Sequence, residues 1–167
     1  DYSVSLSSGE GGSASVSKTS ANYNDEITVT VSADTGYELD TIKVNGTAVS
    51  GNRFRMPDED AEVTVTFKKT VYTITITDVV GGTVSTSKTT ATYGENIVIT
   101  VNADEGYTFR YLFINDRATM KLSFQMPAKD VIIMVVFSAD FFPVEVTSSE
   151  GGTASYPDFL AEYNSTV

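Results

Sequence analysis

The sequence has no cysteine, no histidine and no tryptophan among its 167 residues. Without Cys there is no disulfide and no thiol nucleophile. Without His the commonest general base and the usual nitrogen ligand of zinc are gone, which leaves carboxylates alone for such work. Positive charge is also scarce. Eleven Lys and Arg stand against 22 Asp and Glu, for a net charge of -11 and a pI near 4.2. That balance argues against nucleic acid, whose binding rests on cations neutralising phosphates. It suits a soluble chain that resists self-association. No apolar run approaches the roughly 18 residues of a membrane span, and no stretch carries the pattern of an amphipathic helix. The expectation is a protein that is not an enzyme and needs no cofactor and no metal.

Hydrophobic residues make up 41% and charged residues 20% of the chain, enough apolar content for a core. They are organised by an internal repeat. Gly11-Gly12 recurs as Gly81-Gly82 and as Gly151-Gly152, so the offset is 81 − 11 = 70 and 151 − 81 = 70. The same offset relates Tyr2, Tyr72 and Phe142, and also Tyr23, Tyr93 and Tyr163. It pairs Gly36-Tyr37 with Gly106-Tyr107, Asn45 with Asn115, Phe54 with Phe124, Met56-Pro57 with Met126-Pro127, and Phe67 with Phe137, without a gap. The expected organisation is repeat 1 over 1–70, repeat 2 over 71–140 and a partial third repeat over 141–167, as in a piece cut from a longer array.

Within a repeat the apolar period is two. Tyr2, Val4 and Leu6 alternate with Ser3 and Ser5; Ile27, Val29 and Val31 do the same, as do Val63, Val65 and Phe67. Half-buried strands read this way. Between them lie Gly-Gly, Asp-Thr-Gly, Asn-Gly and Met-Pro-Asp, which is turn chemistry. The parity shift from Tyr37 and Leu39 to Ile42 and Val44, repeated at Tyr107, Phe109, Leu112 and Ile114, predicts a bulge near Asp40 and near Tyr111. Asn24, Gly94 and Asn164 are equivalent, and a left-handed turn residue is predicted there. The fold class is therefore all-β: two tandem domains of about six strands each. A domain of this size buries only ~60% of its unfolded surface, so each is marginal alone.

The stretches "GGTVSTSKTTATYGENIVITV", "ADEGYTFRYLFIND" and "FQMPAKDVIIMVVF", with "ADTGYELDTIKVNG" and "FRMPDEDAEVTVTF" in repeat 1, resemble the divergent internalin-B B-repeat family. More loosely they resemble the Listeria–Bacteroides repeats. The resemblance implies secreted, often wall-anchored bacterial proteins in which repeat arrays act as stalks or adhesive modules. It leaves a β-grasp-like fold open. Many such repeats carry a Trp shortly after the Gly-Tyr pair; here Ile42 and Leu112 stand in that place.

Candidate chemistry is thin. Ser and Thr alternate along strands with no base beside them. The acidic cluster Asp58, Glu59 and Asp60 becomes Ala128, Lys129 and Asp130 in repeat 2. Only Asp60 recurs, so an Asx-type turn opening the last strand is expected ahead of a calcium site. Asp34 and Asp104 are expected to begin the turn before Gly-Tyr. Asn45 and Asn164 lie in Asn-x-Ser/Thr sequons without evident meaning in a bacterial protein. A Lys43 isopeptide crosslink is not shared, since Phe113 replaces it; Lys18 and Lys88 recur. The repeated aromatics Tyr2, Tyr23, Tyr37, Phe54 and Phe67 and their counterparts sit in core phase, so core is the expected role.

The two repeats differ on one face. Glu62, Thr64 and Thr66 become Ile132, Met134 and Val136; Thr41 becomes Tyr111, Lys43 becomes Phe113, Ser50 becomes Met120 and Asn52 becomes Leu122. Those seven apolar residues make a candidate binding or packing face. Soluble proteins rarely leave such a patch in water. Three covers suit it: the apolar tail with Phe141, Phe142, Val144, Val146, Phe159 and Leu160, a second copy in a homodimer, or a glycan or host-protein ligand. The tail, being tethered, is the first expectation. The leading functional expectation is an extracellular spacer presenting another domain. The alternative is an adhesive or ligand-binding module working through that face.

Overall fold

A computed structural model describes residues 1–147, 150–153 and 160–162. The chain divides into two compact units, one built on Asp1–Tyr72 and the other chiefly on Thr73–Ala91 and Glu95–Met126 with the residues from Asp130 onward. The first repeat contributes strands β1 (Tyr2–Ser8), β2 (Gly12–Val16), β3 (Ser20–Ala21), β4 (Glu26–Ala33), β5 (Tyr37–Val44), β6 (Thr47–Ala48), β7 (Arg53–Arg55) and β8 (Ala61–Lys69). The second contributes β9 (Val71–Ile76), β10 (Gly82–Thr86), β11 (Thr90–Thr92), β12 (Asn96–Ala103), β13 (Tyr107–Ile114), β14 (Arg117–Thr119), β15 (Ser123–Gln125) and β16 (Val131–Ala139). Two short strands, β17 (Phe141–Pro143) and β18 (Leu160–Glu162), come last. No helix occurs among the described residues. The strand count exceeds the expected six because β3 and β6 are two-residue pairings, too short to show a period.

In the first repeat a five-stranded sheet runs β3-β1-β8-β5-β6 and a three-stranded sheet runs β2-β4-β7. The first and last long strands are parallel neighbours, with Val4 opposite Ala61 and Ser8 opposite Val65. Parallel neighbours need a long crossover, and here a second sheet supplies it where a helix more often does. Strand alternation turns Ile27, Val29, Val63 and Val65 inward, and they join Val4, Ile42, Phe54 and Met56 in one buried cluster. Each such side chain, fully buried, contributes about 1.5–3 kcal/mol. The second repeat has the same two sheets, β11-β9-β16-β13-β14 and β10-β12-β15, closed over Ile97, Ile99, Leu112, Met126, Val131 and Ile133.

The bulge stands where the parity shift put it. Register slips between Leu39 and Thr41 against β8, and between Phe109 and Tyr111 against β16. The extra residues are Asp40 and Arg110, and they return Ile42 and Leu112 to the core side. The position that many such repeats fill with Trp is thus an interior one. Asn24 and Gly94 have φ of 67° and 83°, as expected; Asn164 lies outside the described residues.

The Gly-Gly pair has a packing reason. A Cβ on Gly11 would clash with the Tyr37 ring, and one on Gly12 would lie 2.5 Å from the Phe67 ring. Gly81 and Gly82 meet Tyr107 and Phe137 in the same way. The Gly-Tyr and Phe landmarks are therefore the rings that lie across the Gly-Gly turn.

One aromatic expectation fails. Tyr23 and Tyr93 are exposed rather than core, at 67% and 52%. They share parity with buried Ala21 and Ala91, but the short strands β3 and β11 have ended before them and the chain is turning into the left-handed residue next in line. In the tail, β17 pairs with β18 so that Phe142 faces Ala161. Tyr2 faces Ala21 in the first repeat. The offsets are 142 − 2 = 140 and 161 − 21 = 140, so the tail reproduces the first pairing of a repeat in register.

Candidate binding face of the second repeat

The polar residues that recur in both repeats are spent inside them. Asp60 Oδ1 accepts the Ser3 N–H at 2.7 Å, and Asp130 Oδ1 accepts the Thr73 N–H at 2.7 Å. This is not the local Asx turn expected. β1 and β8 are parallel, so their starting ends are neighbours, and the carboxylate before β8 reaches the free amide at the start of β1. Asp34 and Asp104 do begin the Gly-Tyr turn: their carbonyls accept the N–H of Tyr37 at 2.9 Å and of Tyr107 at 3.1 Å. Lys18 pairs with Asp25 at 3.2 Å and Lys88 with Glu95 at 2.8 Å. The Lys18 hydrogen bond, helped by the Asn22 N–H, holds the Asp25 carboxyl below the usual carboxylate range. Among the described residues no group of three or more carboxylates is placed to hold a metal ion.

Sequence reasoning missed a clamp. Asn45 Oδ1 accepts the Glu62 N–H at 2.7 Å while its Nδ2 donates to the Asp60 carbonyl at 3.1 Å. Asn115 does the same to the Ile132 N–H at 2.9 Å and the Asp130 carbonyl at 3.2 Å. Both asparagines are left-handed, at φ of 48° and 46°. The signal was present in the recurrence of Asn at the 70-residue offset inside a hairpin turn. The sequon at Asn45 therefore presents an amide already engaged in the fold. Met56 and Met126, which mark a turn in the sequence, are both fully buried.

What remains unspent is the outward side of the second repeat's larger sheet. Tyr111 lies opposite Val136 and Phe113 opposite Met134 across β13 and β16. Cross-strand partners share a face, and Ile132 extends the row by alternation. The inward partners Leu112, Ile133 and Val135 are core. Tyr111 and Phe113 meet edge to face, with centroids 5.5 Å apart and planes at 83°. Ile132 is 55% exposed, Met134 44% and Tyr111 40%. Met120 and Leu122 are exposed too, but on the connection from β14 to β15, where the Leu122 carbonyl accepts the Ile99 N–H of the other sheet.

In the first repeat the same face carries Thr41 opposite Thr66 and Lys43 opposite Thr64. Asp40 accepts a hydrogen bond from Thr66 at 3.2 Å there. In the described part of the tail, Phe141, Phe142 and Leu160 are themselves exposed. Phe159 lies outside the described residues.

The family model for the divergent InlB B-repeat domain matches residues 2–71 and again 72–141. The chain belongs to that family. Its two B-repeats stand in tandem, and the repeats of this family are typically surface-associated in bacteria and generally non-enzymatic. No curated protein and no solved structure matches the chain. In B-repeat terms, the residues that match between the two copies are those that close turns, clamp strand ends and fill the core. The open face of the second copy is its own.

Proposed function

We propose that the two B-repeats serve as a non-catalytic spacer in a secreted or wall-attached bacterial protein, carrying another domain of the parent chain. The observation that supports this reading is the repetition of the clamps. Asp60 and Asp130, Asn45 and Asn115, and the two lysine pairs hold identical positions and are consumed within each repeat. What recurs is scaffold, and a scaffold that repeats at fixed length is suited to setting distance. A glycan array probed with the chain is the test. No binding is expected. Binding that disappears in the variant Tyr111→Ala with Phe113→Ala would overturn the spacer.

A second reading rests on a specific observation, the exposure of Ile132, Met134 and Tyr111 on one sheet face. On that reading the second repeat is an adhesive module for a glycan or a host protein, or the contact of a homodimer.

A further inference from the structure

We propose that Asn45 is a site of spontaneous hydrolytic deamidation, and that the first repeat carries this chemistry while the second lacks it. Asn45 is the only asparagine in the chain that precedes a glycine. The reaction needs the next backbone nitrogen to reach the side-chain carbonyl carbon, and a bulky following residue hinders that approach. Gly46 offers no side chain, and a Cβ built on it would meet nothing within 4 Å. The turn is solvent-exposed, and water is the only co-reactant required.

The steps balance within the turn. The Gly46 nitrogen gives up its proton to solvent and attacks Asn45 Cγ. The Cγ–Nδ2 bond breaks, and Nδ2 leaves as ammonia with a proton from water. Water then adds to one of the two carbonyl carbons of the cyclic imide. Opening at one gives aspartate; opening at the other gives isoaspartate, with an extra carbon in the main chain.

The fold sets both the timing and the consequence. In the closed corner both amide atoms of Asn45 are tied to the segment Glu59–Glu62: Oδ1 to the Glu62 N–H at 2.7 Å, Nδ2 to the Glu59 carboxylate at 3.0 Å and to the Asp60 carbonyl at 3.1 Å. The reaction waits for the corner to open. The hairpin partner β6 is two exposed residues at the edge of its sheet, Thr47 and Ala48. Such an edge opens at small cost. After conversion the donor Nδ2 is gone, and a carboxylate stands against the Glu59 carboxylate and the Asp60 carbonyl. Those contacts become repulsive, and the corner cannot close as before.

The second repeat keeps the asparagine clamp but differs at two positions. Asp116 follows Asn115, and Lys129 takes the place of Glu59. Asp116 holds a φ of 65° where Gly46 holds 78°, so the turn accepts an aspartate at that position.

The test is prolonged incubation of the whole chain in mildly alkaline buffer, followed by proteolysis and mass mapping of the two turn peptides. Amide loss is expected to accumulate in the Asn45 peptide, with none in the Asn115 peptide. The variant Gly46→Asp, which copies the second repeat, is expected to abolish it. Equal loss at Asn115, no loss at Asn45, or undiminished loss in Gly46→Asp would each overturn the proposal. The consequence is read from Asn45→Asp and Asn115→Asp: the first should lower the melting temperature more, because Glu59 repels the new charge where Lys129 attracts it. Equal shifts would overturn that part.

Discussion

Glu62, Thr64 and Thr66 line the outward side of β8, and Ile132, Met134 and Val136 line the same side of β16. On the neighbouring strand stand Thr41 and Lys43 in the first repeat, and Tyr111 and Phe113 in the second. Behind both rows the interior is unchanged in kind: Val63 and Val65 in one repeat, Ile133 and Val135 in the other. The register, the bulge and the Asn clamp are the same. A strand's two faces can therefore change independently, because successive residues point to opposite sides. One side answers to the core and the other to whatever lies outside. The first repeat shows how the face looks when it answers only to water. The second shows a departure that costs the fold nothing visible inside and leaves about half of Ile132 in solvent.

The largest effects should come from what the repeats share. Gly12→Val and Gly82→Val each drive a side chain into a phenylalanine ring and a backbone carbonyl. Each should destabilise its repeat by about 2–4 kcal/mol, and by similar amounts, in urea unfolding. A loss confined to one repeat would break the claim of a common interior. The smallest effect is electrostatic. The Asp25 carboxyl sits below its usual range because of Lys18, so its contribution is present above the unfolded carboxylate pKa and is lost as pH falls through the folded value. Lys18→Gln should therefore lower stability slightly at neutral pH, by no more than an exposed ion pair contributes, leave strongly acid pH untouched, and so flatten the acid limb of the stability curve below about pH 4. An unchanged acid limb would show that the pair contributes nothing.

Much of the interior was legible. Period-two alternation named the inward residues of β1, β4 and β8, the parity shift located the bulge, and equivalence of Asn24 with Gly94 gave the left-handed turn. The failures have a common cause. Tyr23 and Tyr93 kept the alternating phase past the end of a two- or three-residue strand, and phase means nothing once the ladder stops. Asp60 was read locally because its partner, the Ser3 amide, is distant in sequence; only the parallel pairing of first and last strands brings them together. The apolar face was visible as a difference between copies, but five of its residues share a sheet face while Met120 and Leu122 sit on a connection that sequence offset alone could not place.

The most direct measurement copies one face onto the other. The triple variant Ile132→Glu, Met134→Thr and Val136→Thr gives β16 the outward residues of β8. Dye fluorescence with an apolar-surface probe and the unfolding free energy are read on the same samples. The account predicts that dye binding falls clearly while stability stays within about 1 kcal/mol of the parent, because Ile132 and Met134 are exposed, Val136 is only half-buried and the core beneath is untouched. A loss of several kcal/mol, or dye binding that persists, would contradict it: the row would then be interior, or the open face would lie elsewhere.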